Sequence, residues 1–183
     1  DLDCAVDSGV LFEHVMARNI LPSAIGSDDA AIGILDAAAG RLVPGGDIVL
    51  CETMVQEASR ISEFIHMGPL QDMLLKAEKE IYKAYRSKEE LVGLLRSRFE
   101  SVEIESYRFN ESRAATPQDV SRWMKKSYEP ALMKVVPDMT SSQLEKMEKE
   151  LVSSLCAAPL EWHTSCLIAK CSGTKETGVE PTH

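Results

Sequence analysis

The sequence is short of the devices that usually announce a function. None of its ten glycines stands two positions from another, so there is no G-x-G or G-x-G-x-x-G turn to cradle a phosphate or a dinucleotide. Five cysteines form no C-x-x-C pair, which leaves a metal site without support. G-x-S-x-G is absent, and no Ser-His-Asp or Cys-His arrangement declares itself. No apolar run approaches the roughly 20 residues of a membrane span, and no signal-peptide pattern opens the chain. Basic residues are outnumbered, with a formal net charge of −9, and are scattered, which argues against nucleic acid as the main partner.

What is present suits an ordinary globular domain. Hydrophobic residues make up 44% and charged residues 27% of 183 positions, enough to bury a sizeable core. Cys4, Cys51 and Cys166 lie in apolar, strand-like runs, where a thiol behaves as a small hydrophobe, so a reducing, cytoplasmic setting is expected. The first residue is Asp, and Leu2–Ser8 already reads as a strand, as if the chain began within a larger unit.

The stretch Arg41–Glu52, R-L-V-P-G-G-D-I-V-L-C-E, carries the most local information. A helix with Ser27 as candidate N-cap and Asp28 and Asp29 in its first turn, running through Ile32, Leu35 and Ala39 to Leu42, is expected to stop at the Pro-Gly-Gly turn. Asp47–Cys51 then forms an apolar strand of the kind covered on both faces. With Leu2–Ser8 as first strand and Gly9–Val15 as the loop and short helix leaving it, this makes a βαβ unit.

Downstream, Gln56–Tyr85 reads as two helices meeting at Gly68-Pro69, and Ser87-x-x-Glu90 is a capping box before the stripe Leu91, Leu94, Leu95 and Phe99. A strand is expected at Val102–Phe109, and a helix opens at Thr116-Pro117 and ends near Val136-Pro137. One more helix starts at Thr140 or Ser141, and a last strand spans Glu161–Lys170. The polar tail 172–183 is expected to be disordered.

Three passages, in this order, resemble the C-terminal half of a class I S-adenosylmethionine-dependent methyltransferase. Asp1–Val15, D-L-D-C-A-V-D-S-G-V-L-F-E-H-V, is similar to the family's fourth strand and following loop, a string of the type F-D-x-V-x-x-x-x-V-L-H-H. Ala38–Glu52 resembles the fifth strand with its L-x-P-G-G lead-in. Ser87–Tyr107 followed by Trp162–Ala169 resembles the last helix and two final strands, the terminal one inserted antiparallel.

The resemblance implies an α/β fold: a partial doubly wound (Rossmann-like), mainly parallel sheet over 1–171, with an antiparallel last strand and helical insertions at 56–86 and 116–157. It also implies S-adenosylmethionine as cofactor, held only when a missing N-terminal half supplies the Gly-rich loop and the ribose-binding acid. Asp7, Ser8 and Gly9 fall where the matched strand ends and would touch the cofactor, or would serve as a strand-end turn. His14 and Glu52 are the catalytic candidates, Glu52 at the carboxyl edge where ligands of open α/β sheets bind; a packed or surface histidine and a helix-capping glutamate are the plain alternatives.

His66, Met67 and Gln71 are the candidates for a small, apolar or amphipathic acceptor, against a core role for the methionine. The expected partner is the upstream half of the domain, or another chain, pairing with strand Leu2–Ser8. A catalytically inactive methyltransferase-like subunit with a structural role is the rival reading. A flavodoxin-like binding module has less support, since nothing offers a phosphate cradle at a helix start.

Overall fold

The computed structural model of the chain describes residues 10–21, 28–66 and 68–175. Ser27 and Leu2–Ser8 lie outside the described residues, as do 176–183. Two compact units divide the chain by their internal contacts: Asp1–Met54, Arg86–Tyr107 and Cys166–His183 in the first, Val55–Tyr85 and Arg108–Ser165 in the second.

The first unit holds most of the sheet, residues 108–113 and 160–165 of its strands being counted with the second. Its strands, β1 (Phe12–Arg18), β2 (Leu42–Thr53), β3 (Phe99–Arg113) and β4 (Leu160–Thr174), stand in the order β1-β2-β4-β3. β1 and β2 run parallel, with Val15 opposite Ile48 and Arg18 opposite Cys51. β4 runs antiparallel to β2, with Asp47 opposite Ser172 and Thr53 opposite Cys166. The partial Rossmann-like α/β sheet with an inserted antiparallel last strand is therefore present.

Several details differ from the sequence reading. The strand that pairs with β2 is Phe12–Arg18, so Phe12–Val15 is strand rather than loop and helix. Helix α1 (Asp28–Ala39) ends at Gly40, whose N–H donates to the Asp36 carbonyl, and β2 begins before the Pro-Gly-Gly sequence. Phe12 pairs with Leu42 but His14 with Asp47, so Val43–Gly46 bulges out of the ladder instead of preceding it. Gly45 has φ 84, which an L side chain resists, and a Cβ on Gly46 would meet the Glu13 carbonyl oxygen at 2.8 Å. The two glycines thus serve different needs. Ser172–Thr174 belongs to β4 rather than to a tail.

Helix α3 (Lys88–Arg98) begins with the expected capping box, in which the Ser87 hydroxyl accepts from the Glu90 N–H and the Glu90 carboxylate from the Ser87 N–H. Leu91 and Leu95 of α3 bury beside Leu35 of α1 and Ile48, Leu50, Leu167 and Ala169 of the strands. Arg98 of α3 donates to Asp36 of α1.

The second unit is helical and has its own core. Val55–Glu57 and Ile61–Phe64 are single 3-10 turns, not the first of two helices. Gly68, at φ 94, and Pro69 start α2 (Pro69–Tyr82). α4 (Pro117–Trp123) and α6 (Ser141–Leu155) both open with capping boxes, Thr116 with Asp119 and Thr140 with Gln143. Between α4 and α5 (Glu129–Val135) the chain widens into a π-helical stretch, Met124–Tyr128, and the Glu129 N–H reaches the Met124 carbonyl five residues back. Pro130 explains the widening. It lacks the N–H that would bond the carbonyl four residues earlier, and its ring would crowd that carbonyl in a regular helix.

Candidate functional site

In the first unit, the parallel strands β1 and β2 both finish at one edge, and the chain there is clipped by two side chains. Asn19 follows β1 with φ 52, a left-handed conformation that asparagine tolerates better than most residues. Its N–H donates to the Cys51 carbonyl at 3.0 Å, and its Oδ1 accepts the Thr53 N–H at 2.9 Å. From the opposite strand, Glu52 Oε1 accepts the N–H groups of Ile20 at 3.1 Å and Leu21 at 3.2 Å.

Glu52 is only 1% exposed, and among the described residues its second oxygen, Oε2, has no hydrogen-bond partner. Burial pushes its carboxyl upward in pKa, and the amides of Leu21 and Ile20 pull it part of the way back. One oxygen is therefore committed to the backbone of the turn, and the other is a buried acceptor left open.

His14 lies elsewhere. It pairs with Asp47 across the ladder, at the amino end of the β1–β2 pairing, and its Nδ1 meets Asp47 Oδ1 at 2.9 Å. Lys170 Nζ reaches the other Asp47 oxygen at 3.2 Å. The His14 hydrogen bond holds the Asp47 carboxyl below its usual range; burial opposes this and Lys170 assists it. Asp47 and Glu52 are five positions apart on β2, so His14 and Glu52 are separated by roughly 16 Å of strand. They cannot act on one reacting centre.

Asp7, Ser8 and Gly9 lie outside the described residues, as does Met67. Among the described residues, the strand end facing that of β2 is formed by Arg18 and Asn19. A signal for it exists in the sequence. The string F-D-x-V-x-x-x-x-V-L fits at Phe12-Glu13-His14-Val15 through Ile20-Leu21, with Glu for Asp and Ile for Val, later than the Leu2–Ser8 strand would put it.

The second unit holds a cavity of about 710 Å³ with an apolar floor that includes Phe64, Leu70, Met73, Met139 and Met147. His66 lines it, with Lys146 and Glu150 as charged members of the wall. Gln71 is not part of that lining; its amide donates to the Ser62 carbonyl at 3.3 Å.

Two polar groupings in this unit join residues far apart in sequence. Ser59 Oγ lies 2.7 Å from His163 Nδ1 and accepts the His163 N–H at 2.8 Å. Glu78, 2% exposed, accepts from the Ser62 N–H at 3.0 Å, the Ser62 hydroxyl at 2.5 Å and the Tyr128 hydroxyl at 2.7 Å. Among the described residues, no group of three or more His, Cys, Asp or Glu is placed to hold a metal ion.

No family model matches the chain, and no curated protein matches it. Among solved structures, it is similar to a phosphoethanolamine N-methyltransferase 2 of Haemonchus contortus in complex with phosphomonomethylethanolamine and S-adenosylhomocysteine. That match has 12% identity and a TM-score of 0.35, and covers 88% of this chain and 33% of that one. A protein of Bacillus halodurans C-125, classed provisionally as a methyltransferase, gives 15% identity and a TM-score of 0.41, covering 91% and 65%. An S-adenosylmethionine-dependent methyltransferase from Geobacter sulfurreducens, with S-adenosylhomocysteine, gives 15% identity and a TM-score of 0.30, covering 87% and 60%. The chain spans between 33% and 65% of the length of these three proteins.

Proposed function

We propose that the chain is the C-terminal portion of an S-adenosylmethionine-dependent methyltransferase acting on a small, apolar or amphipathic acceptor. The observation that carries this reading is the sheet: order β1-β2-β4-β3, with β1 and β2 parallel and β4 inserted antiparallel, is the arrangement the three sequence strings imply. The F-E-x-V-x-x-x-x-I-L string runs along β1 and ends in the clipped turn at the carboxyl edge.

The fit to the cofactor is partial. Asn19–Leu21 would form one wall of its site, where a buried open acceptor, Glu52 Oε2, already lies; the sequence has no Gly-x-Gly to approach the other side. When bound, S-adenosylmethionine supplies an electrophilic methyl group on a sulfonium. In the first unit, Glu52 and Asn19 fix the turn that would flank the cofactor. In the second unit taken by itself, the Phe64–Met147 cavity, with His66 in its wall, suits a guest with an apolar body. The upstream half of the domain, or a partner chain, would complete the sheet at its β1 edge.

The rival reading is an inactive, methyltransferase-like subunit docked in a larger assembly, and it is favoured by the surface of β1. Among the described residues this strand ends the sheet order and exposes Phe12 and Met16, the latter by 81%. Among the described residues four thiols, Cys51, Cys156, Cys166 and Cys171, are unbridged, which fits a reducing cytoplasm. Among the described residues, no helix is long and apolar enough to cross a membrane.

Calorimetric titration with S-adenosylmethionine and S-adenosylhomocysteine discriminates the readings. The product of the full source transcript, carrying any segment upstream of Asp1, should bind at micromolar concentration, and the 183-residue chain alone should not. Absence of binding by the full product sinks the enzyme reading and leaves the docking subunit.

A further inference from the structure

Glu78 raises a question that methyl transfer does not answer. Its carboxyl is buried, it accepts from two hydroxyls and one amide, and among the described residues no salt bridge reaches it. Buried carboxylates are ordinarily matched by a cation, because hydroxyl and amide donors replace only part of what water supplied.

Glu78 forms part of the wall of a second cavity, of about 280 Å³, distinct from the one floored by the methionines. The rest of the wall is unusually aromatic: Tyr82, Tyr85, Trp123, Tyr128 and Trp162 all line it. These are both tryptophans and three of the four tyrosines of the chain, in a protein that is only 5% aromatic. Trp123 and Trp162 face each other with centroids 5.4 Å apart at 46°. Ring faces carry negative potential, and these rings share the cavity wall with a carboxylate.

The positive groups nearby are already engaged. Arg113, also in the wall, is paired with Glu111 at 3.2 Å and Asp119 at 3.3 Å and lies over the Trp162 ring at 5.6 Å. Arg60 sits over the Tyr82 ring at 4.8 Å and is not among the residues of the wall. His163 commits Nδ1 to Ser59. The field of Glu78 is felt by its neighbours: the Tyr128 hydroxyl is pushed well up in pKa by burial first and by Glu78 next, and Tyr82 is raised to about 12 by the same two causes in the same order. An anion would meet Glu78 and the ring faces, and a neutral apolar guest would leave the carboxylate unmatched.

We propose that the cavity walled by Glu78, Tyr82, Tyr85, Trp123, Tyr128 and Trp162 binds a small organic ammonium ion, held by the aromatic faces and the Glu78 carboxylate. The volume fits a compact cation bearing a few methyl or methylene groups, not a drug-sized molecule. The site shares no residue with the turn clipped by Glu52 or with the lining of the methionine-floored cavity, so it stands apart from the methyl-transfer reading.

Both tryptophans of the chain line the cavity, so intrinsic fluorescence of the intact 183-residue protein reports on it directly. Choline is titrated against 3,3-dimethylbutan-1-ol, which has the same shape with carbon in place of the cationic nitrogen. Choline should change the emission saturably, with an affinity at least about tenfold above that of the alcohol. Glu78→Gln should lower choline affinity about tenfold and leave the alcohol unchanged. Should that variant fail to fold, Tyr85→Leu, at a half-buried position, should lower choline affinity about threefold or more without weakening the alcohol. Equal affinity for the two compounds, no saturable response to choline up to roughly 50 mM, or wild-type choline affinity in the folded variants overturns the proposal.

Discussion

The carboxylate of Glu52 receives two consecutive backbone N–H groups, those of Ile20 and Leu21, and so ties the end of β2 to the turn that follows β1. Glu52→Ala would leave both donors without their acceptor in a buried place and should cost about 2–4 kcal/mol. Glu52→Gln keeps one acceptor oxygen and removes the buried charge, and should lie within about 1 kcal/mol of the parent at neutral pH. The raised carboxyl of Glu52 binds its proton more tightly in the folded than in the unfolded state, so its contribution to stability falls as pH rises from the ordinary carboxylate range through the raised value. Urea unfolding over a pH series should show that decline in the parent and its loss in Glu52→Gln.

Asp47 has the opposite sign. Its carboxyl is held low chiefly by His14, so the stability it contributes is present above the ordinary aspartate range and is lost as pH falls through the lowered value. His14→Ala should move the Asp47 titration upward, read from its side-chain carbonyl signal by NMR. Because His14 is 67% exposed and at the far end of the strands from Glu52, methyl transfer by a reconstituted enzyme should survive His14→Ala within about threefold. A larger loss in kcat would restore His14 as a participant in the reaction.

The bulge in β2 separates its two glycines experimentally. Gly46→Ala places a Cβ against the Glu13 and Val43 carbonyl oxygens, at 2.8 and 3.1 Å, both backbone atoms that cannot swing aside. It should cost about 2–4 kcal/mol. Gly45→Ala meets nothing within 4 Å but must hold φ near 84, and should cost only about 1–2 kcal/mol. Equal costs in urea unfolding would contradict the bulge geometry.

Val120, Met124, Tyr128 and Leu132 are four residues apart and all buried, although in a regular helix each such step drifts by about 40°. The π stretch absorbs the drift. Deleting the exposed Lys126 should give regular α spacing with the same buried face, but would bring Pro130 into a helix interior at a cost of about 3 kcal/mol. Pro130→Ala in the deletion background should recover most of that loss, whereas the same substitution in the parent should gain little. Denaturation of the four proteins completes the cycle.

Local signals in the sequence translate directly into structure. The box at Ser87, the helix start at Thr116-Pro117, the apolar run Asp47–Cys51 and the last strand need only a few neighbouring residues to be recognised. β1 is harder to see, because Leu2–Ser8 competes as a strand on composition, while Phe12–Arg18 mixes exposed charged and apolar residues as an end strand can. The 3-10 turns before Gly68 share their apolar spacing with a helix. Of the site residues, Glu52 is legible from its place at the strand end. Its engagement with Ile20 and Leu21 is not, nor is the meeting of Ser62, Glu78 and Tyr128, because side chains that converge from distant segments leave no periodicity behind.

The reciprocal caps of α3, α4 and α6 each close within four consecutive residues, so these helices carry their own starting points and need no distant partner to begin winding. β4 is different: it lies between β2 and β3 yet is the latest in sequence of the described elements, matching Ser172 to Asp47 across a long intervening stretch of polypeptide. During synthesis, β2 emerges well before β4 and has one flank unfilled until that later strand arrives. Premature chain termination before Leu160 would therefore strand a nascent sheet with an open seam at its middle.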